Sequence, residues 1–113
     1  MCSKSVLDEI TAKVVQAAKD SLGDKLDKII LYGSYARGDY DDESDIDILV
    51  LADIPRESCG EEYRKINRLA SRLGLEHNIL VYVDITDVAT FNEYINDLPF
   101  YINVQKEGVV LVA

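Results

Sequence analysis

Basic residues are scarce in this chain. Twelve Lys and Arg stand against 21 Asp and Glu, a formal net charge of −9. The long-range field of such a chain repels phosphates, which argues against broad nucleic-acid or anionic-membrane binding and suits a basic protein partner better. Histidine is nearly absent. His77 is the only one, and without Cys or His partners it makes no transition-metal site; a surface or edge place is expected for it. Two cysteines, Cys2 and Cys59, are too few and too scattered for a disulfide framework. That usage suits a reducing, cytoplasmic setting. No apolar run approaches the roughly 20 residues of a membrane span. No apolar signal-peptide core follows Met1-Cys2-Ser3-Lys4-Ser5. Repeats, low-complexity tracts and linkers are also missing, so one domain over 1–113 is expected.

What is present is regular patterning. Val6, Leu7, Ile10, Val14, Val15 and Ala18 recur at helical spacing and predict a helix over 5–22, capped by Ser3 or Ser5 and closed by Gly23. A β-rich run, DKIILY over 27–32, stops at Gly33-Ser34, and 34–37 form a helical turn ended by Gly38. IDILVL over 46–51 alternates only weakly, as a strand buried on both faces does. Pro55 then breaks the chain. Tyr63, Ile66, Leu69, Ala70 and Leu73 stripe a second long helix over 57–73, with Gly74 as its C-cap. NILVYVDI over 78–85 reads as a third strand, followed by helices over 88–96, capped by Thr86 or Asp87, and over 98–106, with Pro99 in its first turn. Residues 109–112 form a last short strand or an apolar tail suited to dimerisation or docking. The fold class is α/β (α+β): a small mixed sheet of three or four strands flanked by helices. The first two strands are antiparallel, or parallel with a compact crossover.

Chemistry concentrates between the first two strands. Asp45 and Asp47 stand two apart at a strand entrance, so both carboxylates project to one face. Such a pair suits magnesium, a hard cation commonly held by one or two carboxylates together with substrate phosphates. Gly33 ends a strand where a backbone can approach a ligand closely. Ser34 adds a hydroxyl and a backbone N–H at a helical turn, and Arg37 lies one turn on, within reach of a phosphate or of Asp39 or Asp41. Taken singly, a Gly-Ser turn, an Asp-x-Asp or an acidic loop is more often structural. Their succession on two apolar strands favours a nucleoside triphosphate site. Tyr32, Tyr35 and Tyr40 flank this segment and read as core or rim residues, although a tyrosine there can also stack on a base.

The segment LYGSYARGDYDDESDIDILV, 31–50, resembles the signature of the minimal nucleotidyltransferases in the DNA polymerase β superfamily. That signature is Gly-Ser, a spacer, Asp-x-Asp, and a third acid on a later strand. The resemblance implies triphosphate binding at Gly33 and Ser34, a phosphate or structural role for Arg37, and magnesium at Asp45 and Asp47. Asp84 is the candidate third acid, both catalytic and metal-binding; alternatively it merely ends its strand, and one residue of register decides between the two. The resemblance further implies transfer of a nucleoside monophosphate, AMP from ATP, to a hydroxyl. Larger relatives carry added domains for their acceptors, so a bare core must borrow its acceptor from a partner. The family's pairing with HEPN-type helical toxins implies an antitoxin that adenylylates a toxin tyrosine. The competing reading is a non-catalytic module that neutralises a partner by contact alone.

Overall fold

The computed structural model describes residues 3–41 and 43–113; Cys2 and Asp42 lie outside them. In chain order the elements are α1 (Lys4–Leu22), β1 (Leu26–Tyr32), α2 (Ser34–Arg37), β2 (Ile46–Ala52), α3 (Cys59–His77), β3 (Val81–Asp87), α4 (Val88–Tyr94), α5 (Pro99–Glu107) and β4 (Val109–Val112). Ser3 caps α1, its hydroxyl accepting from the Val6 N–H at 3.2 Å. Asp87 caps α4 by accepting from the Thr90 N–H at 2.9 Å.

The four strands form one mixed sheet in the order β3-β2-β1-β4. β1 runs antiparallel to both β2 and β4, and β2 runs parallel to β3 with α3 as the crossover. The last residues are thus a strand rather than a tail. Alternation along β2 divides the core. Ile46, Ile48 and Val50 face α1 and α3, where Ile10, Val14, Ala18, Ile66, Ala70 and Leu73 bury against them. Leu49 and Leu51 face the other way and pack with Ile30, Phe91 of α4 and Val104 of α5. The same face carries Asp47, at the end where β2 begins. Weak alternation in the sequence therefore reflects a strand covered on both sides over most of its length.

Two boundaries differ from the sequence expectation. α3 does not stop before Gly74 but continues to His77, and Asn78 ends it in the left-handed conformation at φ 54°. Asn tolerates that region because its short polar side chain can bond locally. Gly74 has a different duty: it is buried, and a Cβ there would run into the Ile79 carbonyl oxygen as the chain turns into β3. The third strand consequently lies at 81–87 rather than 78–85. His77 ends α3 with Nε2 2.7 Å from a Glu9 carboxylate oxygen, a contact between the two long helices. Gly74→Ala should destabilise the protein by about 1–3 kcal/mol, since backbone on both sides must shift to admit one methyl. Urea unfolding midpoints measure this, and an unchanged midpoint would show the α3–β3 junction to be slack.

Asn67 of α3 closes part of the outer edge of β3. Its side-chain amide donates to the Val83 carbonyl at 2.7 Å, and its oxygen accepts from the Val83 N–H at 3.1 Å. An edge strand otherwise offers these groups to any other strand.

Candidate active site

β1 delivers the chain to Gly33, whose φ of 77° lies where only glycine rests without strain. Its carbonyl accepts from the Ala36 and Arg37 N–H groups, both at 3.1 Å, which folds 34–37 into the single turn α2. Tyr32, the residue before it, pairs across the sheet with Asp47. The Gly-Ser turn and the Asp-x-Asp strand are therefore adjacent. A Cβ on Gly33 would stand 2.6 Å from Asp47 Oδ2, so the carboxylate lies against the bare Cα.

Asp41, Glu43 and Ser44 of the acidic loop bond to one another. The Asp41 carboxylate accepts from the Glu43 N–H at 2.9 Å, and Ser44 Oγ accepts from the Asp41 N–H at 2.9 Å. Asp39 is taken by Arg37, whose Nε donates to it at 3.1 Å. Arg37 also reaches forward to Glu107 of α5, with Nη1 3.6 Å from Oε2. With Tyr32, Gly33, Phe100 and Asn103 it lines a small cavity of about 180 Å³ beside the glycine turn. Arg37 thus makes the surface pair with Asp39 that was the alternative to a phosphate role, and meets a second carboxylate from far along the chain.

Asp45 is exposed and Asp47 half-buried, and neither accepts a hydrogen bond or ion pair from another described residue. Burial, then the charge of Asp45, pushes the Asp47 carboxyl up to about 6, although Arg37 draws it down. Asp84 is half-buried on β3, paired laterally with Leu49, while Tyr82 pairs with Asp47. Laterally paired residues share a face, so Asp84 lies on the face that bears Asp47. Burial raises its carboxyl as well, against a hydrogen bond from the Ile85 backbone. Among the described residues, no group of three carboxylates, histidines or cysteines is placed to hold a metal ion.

Two tyrosines missing from the expected site set flank Asp47 in one row across three strands: Tyr32 of β1 and Tyr82 of β3. The Tyr32 ring packs edge-on against Phe100 with centroids 5.3 Å apart. Burial, reinforced by Asp47 and Asp84, holds its phenol protonated far above the ordinary range. Tyr82 is exposed and meets Tyr63 of α3 edge-on. In the sequence Tyr32 stood out only as a neighbour of the Gly-Ser turn, and Tyr82 only by its i, i+2 spacing from Asp84. Tyr35 is buried and stacks on Tyr40 at 4.4 Å, a rim contact. No described helix is long and apolar enough to cross a membrane.

The nucleotidyltransferase domain profile matches residues 12–111. The chain is 38% identical, over 97 residues, to a candidate protein adenylyltransferase of Methanocaldococcus jannaschii, MJ0604; the match covers 86% of this chain and 89% of that one. A candidate nucleotidyltransferase from Sulfolobus solfataricus superposes with a TM-score of 0.61 at 22% identity, covering 96% of this chain and 87% of the other, which speaks for the fold. A toxin-antitoxin crystallised with AMP-PNP superposes with a TM-score of 0.52 at 27% identity, covering 88% and 70%. A profile spanning nearly the whole sequence, and a relative matched over most of both lengths, place this chain in the nucleotidyltransferase domain family.

Proposed function

We propose that the chain moves AMP from ATP to a hydroxyl of a partner protein, as the antitoxin of a toxin–antitoxin pair. The observation that carries this reading is the unpaired carboxylate pair Asp45 and Asp47, with Asp47 laid against Gly33 of the turn. The M. jannaschii relative supports a protein acceptor, and the AMP-PNP-bound neighbour supports both an adenine nucleotide and a toxin partner. A tyrosine of a HEPN-type helical toxin is the acceptor the family resemblance implies.

Two neighbouring carboxylates with no ion pair to a described residue fit magnesium, which leaves positions open for phosphate oxygens and water. Asp45 and Asp47 would hold it, and when bound it neutralises phosphate charge and polarises the phosphorus. Gly33 and Ser34 would seat the triphosphate, with the Ser34 hydroxyl on the leaving pyrophosphate. Arg37 would exchange Glu107 for a phosphate oxygen. The acceptor hydroxyl oxygen bonds to the α-phosphorus while the bond to pyrophosphate breaks. Asp84 receives the hydroxyl proton, a role suited to a carboxylate whose burial has raised its proton affinity.

Co-expression with the neighbouring open reading frame, followed by intact-mass analysis, tests this. The partner should gain the mass of one or more AMP units, located on tyrosine, and Asp45→Asn with Asp47→Asn should remove the gain. If the double variant leaves the partner unmodified yet still protects cells, neutralisation by binding replaces transfer.

A pH dependence follows from Asp47. Its carboxylate must be charged to hold a cation, so kcat/KM for ATP at limiting magnesium should fall below an apparent pKa of about 6. An acid limb near the ordinary aspartate value of about 4 would remove Asp47 from this role.

A further inference from the structure

α3 inverts the charge of this acidic chain. Arg64, Arg68 and Arg72 follow one another at four-residue spacing, which sets them in one row along a helix. All three are exposed, and none makes an ion pair with a described residue. Leu75 continues the same face and is 86% exposed. Beside it a groove of about 450 Å³ opens between the C-terminal turns of α3 and the entry to β3, with Gly74, Ile79 and Val81 along it and Leu80, 70% exposed, on its rim. Two large aliphatic side chains this bare around one groove mark an interaction surface rather than scattered exposure.

The groove lies at the catalytic end of the sheet. The Leu80 carbonyl accepts from the Ile46 N–H at 2.9 Å, and Ile46 stands between Asp45 and Asp47. β3, which carries Asp84 and the exposed Tyr82, is the edge strand on that side. α3 and the groove lie on the face of the sheet opposite Asp47, so a protein seated there reaches the carboxylates round the β3 edge, past the exposed Tyr82.

We propose that this face docks the acceptor protein through an aliphatic side chain in the groove and carboxylates along the arginine row. That the docked protein supplies the hydroxyl rests on the transfer reaction proposed above. Charge complementarity selects the occupant: three unpaired guanidiniums in one row call for an acidic surface, the reverse of what the net charge of −9 suggests. The two leucines call for an apolar anchor, which a nucleic acid does not present, and the surrounding acidic field repels its phosphates. A twofold pair of this chain through the same face would oppose one arginine row to another. Recognition is by side chains, because Asn67 already occupies the Val83 backbone groups that an added strand would need.

The probe is a labelled synthetic amphipathic helix with Leu on one face and Glu at four-residue spacing, read by fluorescence anisotropy on the full chain. It should bind, and a Lys-for-Glu version should not. Arg64→Glu/Arg68→Glu/Arg72→Glu and Leu75→Asp/Leu80→Asp should each weaken binding by about tenfold or more. Both variants should keep magnesium-dependent ATP binding, since every changed residue is exposed and off the nucleotide face. Peptide binding indifferent to the arginine reversal overturns the proposal. So does tighter binding of a single-stranded RNA oligonucleotide, or a sedimenting dimer that the reversal dissociates. Failure of the wild type to bind ATP with magnesium would instead sink the transfer reaction, and the peptide result would still decide the docking face.

Discussion

Asp47→Asn should abolish nucleotidyl transfer and yet raise the melting temperature of the nucleotide-free protein by about 4 °C at pH 7. Both effects come from one side chain. Burial and the neighbouring Asp45 raise its folded-state pKa to about 6, above the ordinary aspartate value of 3.8. Between those values the native state binds more protons than the unfolded chain, so stability falls as pH rises through that window and stays reduced above it. At pH 7 the native protein therefore carries the full penalty of a charged, partly desolvated carboxylate. The shift taken at face value is about 3 kcal/mol. Asp47 is open to solvent on one side, and screening reduces the expected gain to about 1 kcal/mol. Asn keeps the shape and removes the charge.

Calorimetry at two pH values separates this from a general improvement in packing. The gain should be present at pH 7 and vanish toward pH 4, where the wild-type carboxyl is itself protonated. A variant no more stable than wild type at pH 7, or equally stabilised at both values, would show that Asp47 carries no charge penalty. Magnesium with a nonhydrolysable ATP analogue should raise the melting temperature of the wild type and leave the variant unmoved. Stability withheld at a site until its ligand arrives is a common signature of function.

The parts of this site legible in the sequence were those set by local chemistry. Gly33-Ser34 after an apolar run, and Asp45-x-Asp47 at the head of the next, needed only residue type and the two-residue period of a strand. Asp84 needed the pairing of β3 with β2, a long-range fact, and its neighbour Tyr82 needed the same register. Tyr32 sits beside Asp47 because β1 and β2 are antiparallel, which the short connection left undecided. Glu107 reaches Arg37 only once α5 has packed across the sheet. Gly74 misled for a physical reason: glycine after an apolar stripe usually ends a helix, but here its missing side chain makes room for the Ile79 backbone. The arginine row was visible in the letters. Its meaning depended on knowing that no described acid pairs with it and that two exposed leucines lie alongside.

Gly33→Ala should lower kcat/KM by about 100-fold while the protein remains folded. Two effects act at this position. At φ 77° any Cβ is strained, which costs about 1–2 kcal/mol. The new methyl would also meet Asp47 Oδ2 at 2.6 Å. That atom ends a side chain and can swing aside, so the fold yields easily there. A carboxylate that has swung aside no longer converges with Asp45, and positioning is what this site supplies. Gly38 provides the control, because its φ is 86° and a Cβ there meets nothing within 4 Å. Gly38→Ala should show a similar loss in urea unfolding with nearly unchanged transfer. Equal losses of activity in the two variants would mean that backbone strain in the loop, rather than the contact between Gly33 and Asp47, governs the site. A loss confined to Gly33→Ala would show that the glycine is there to make room for a carboxylate as much as to turn the chain.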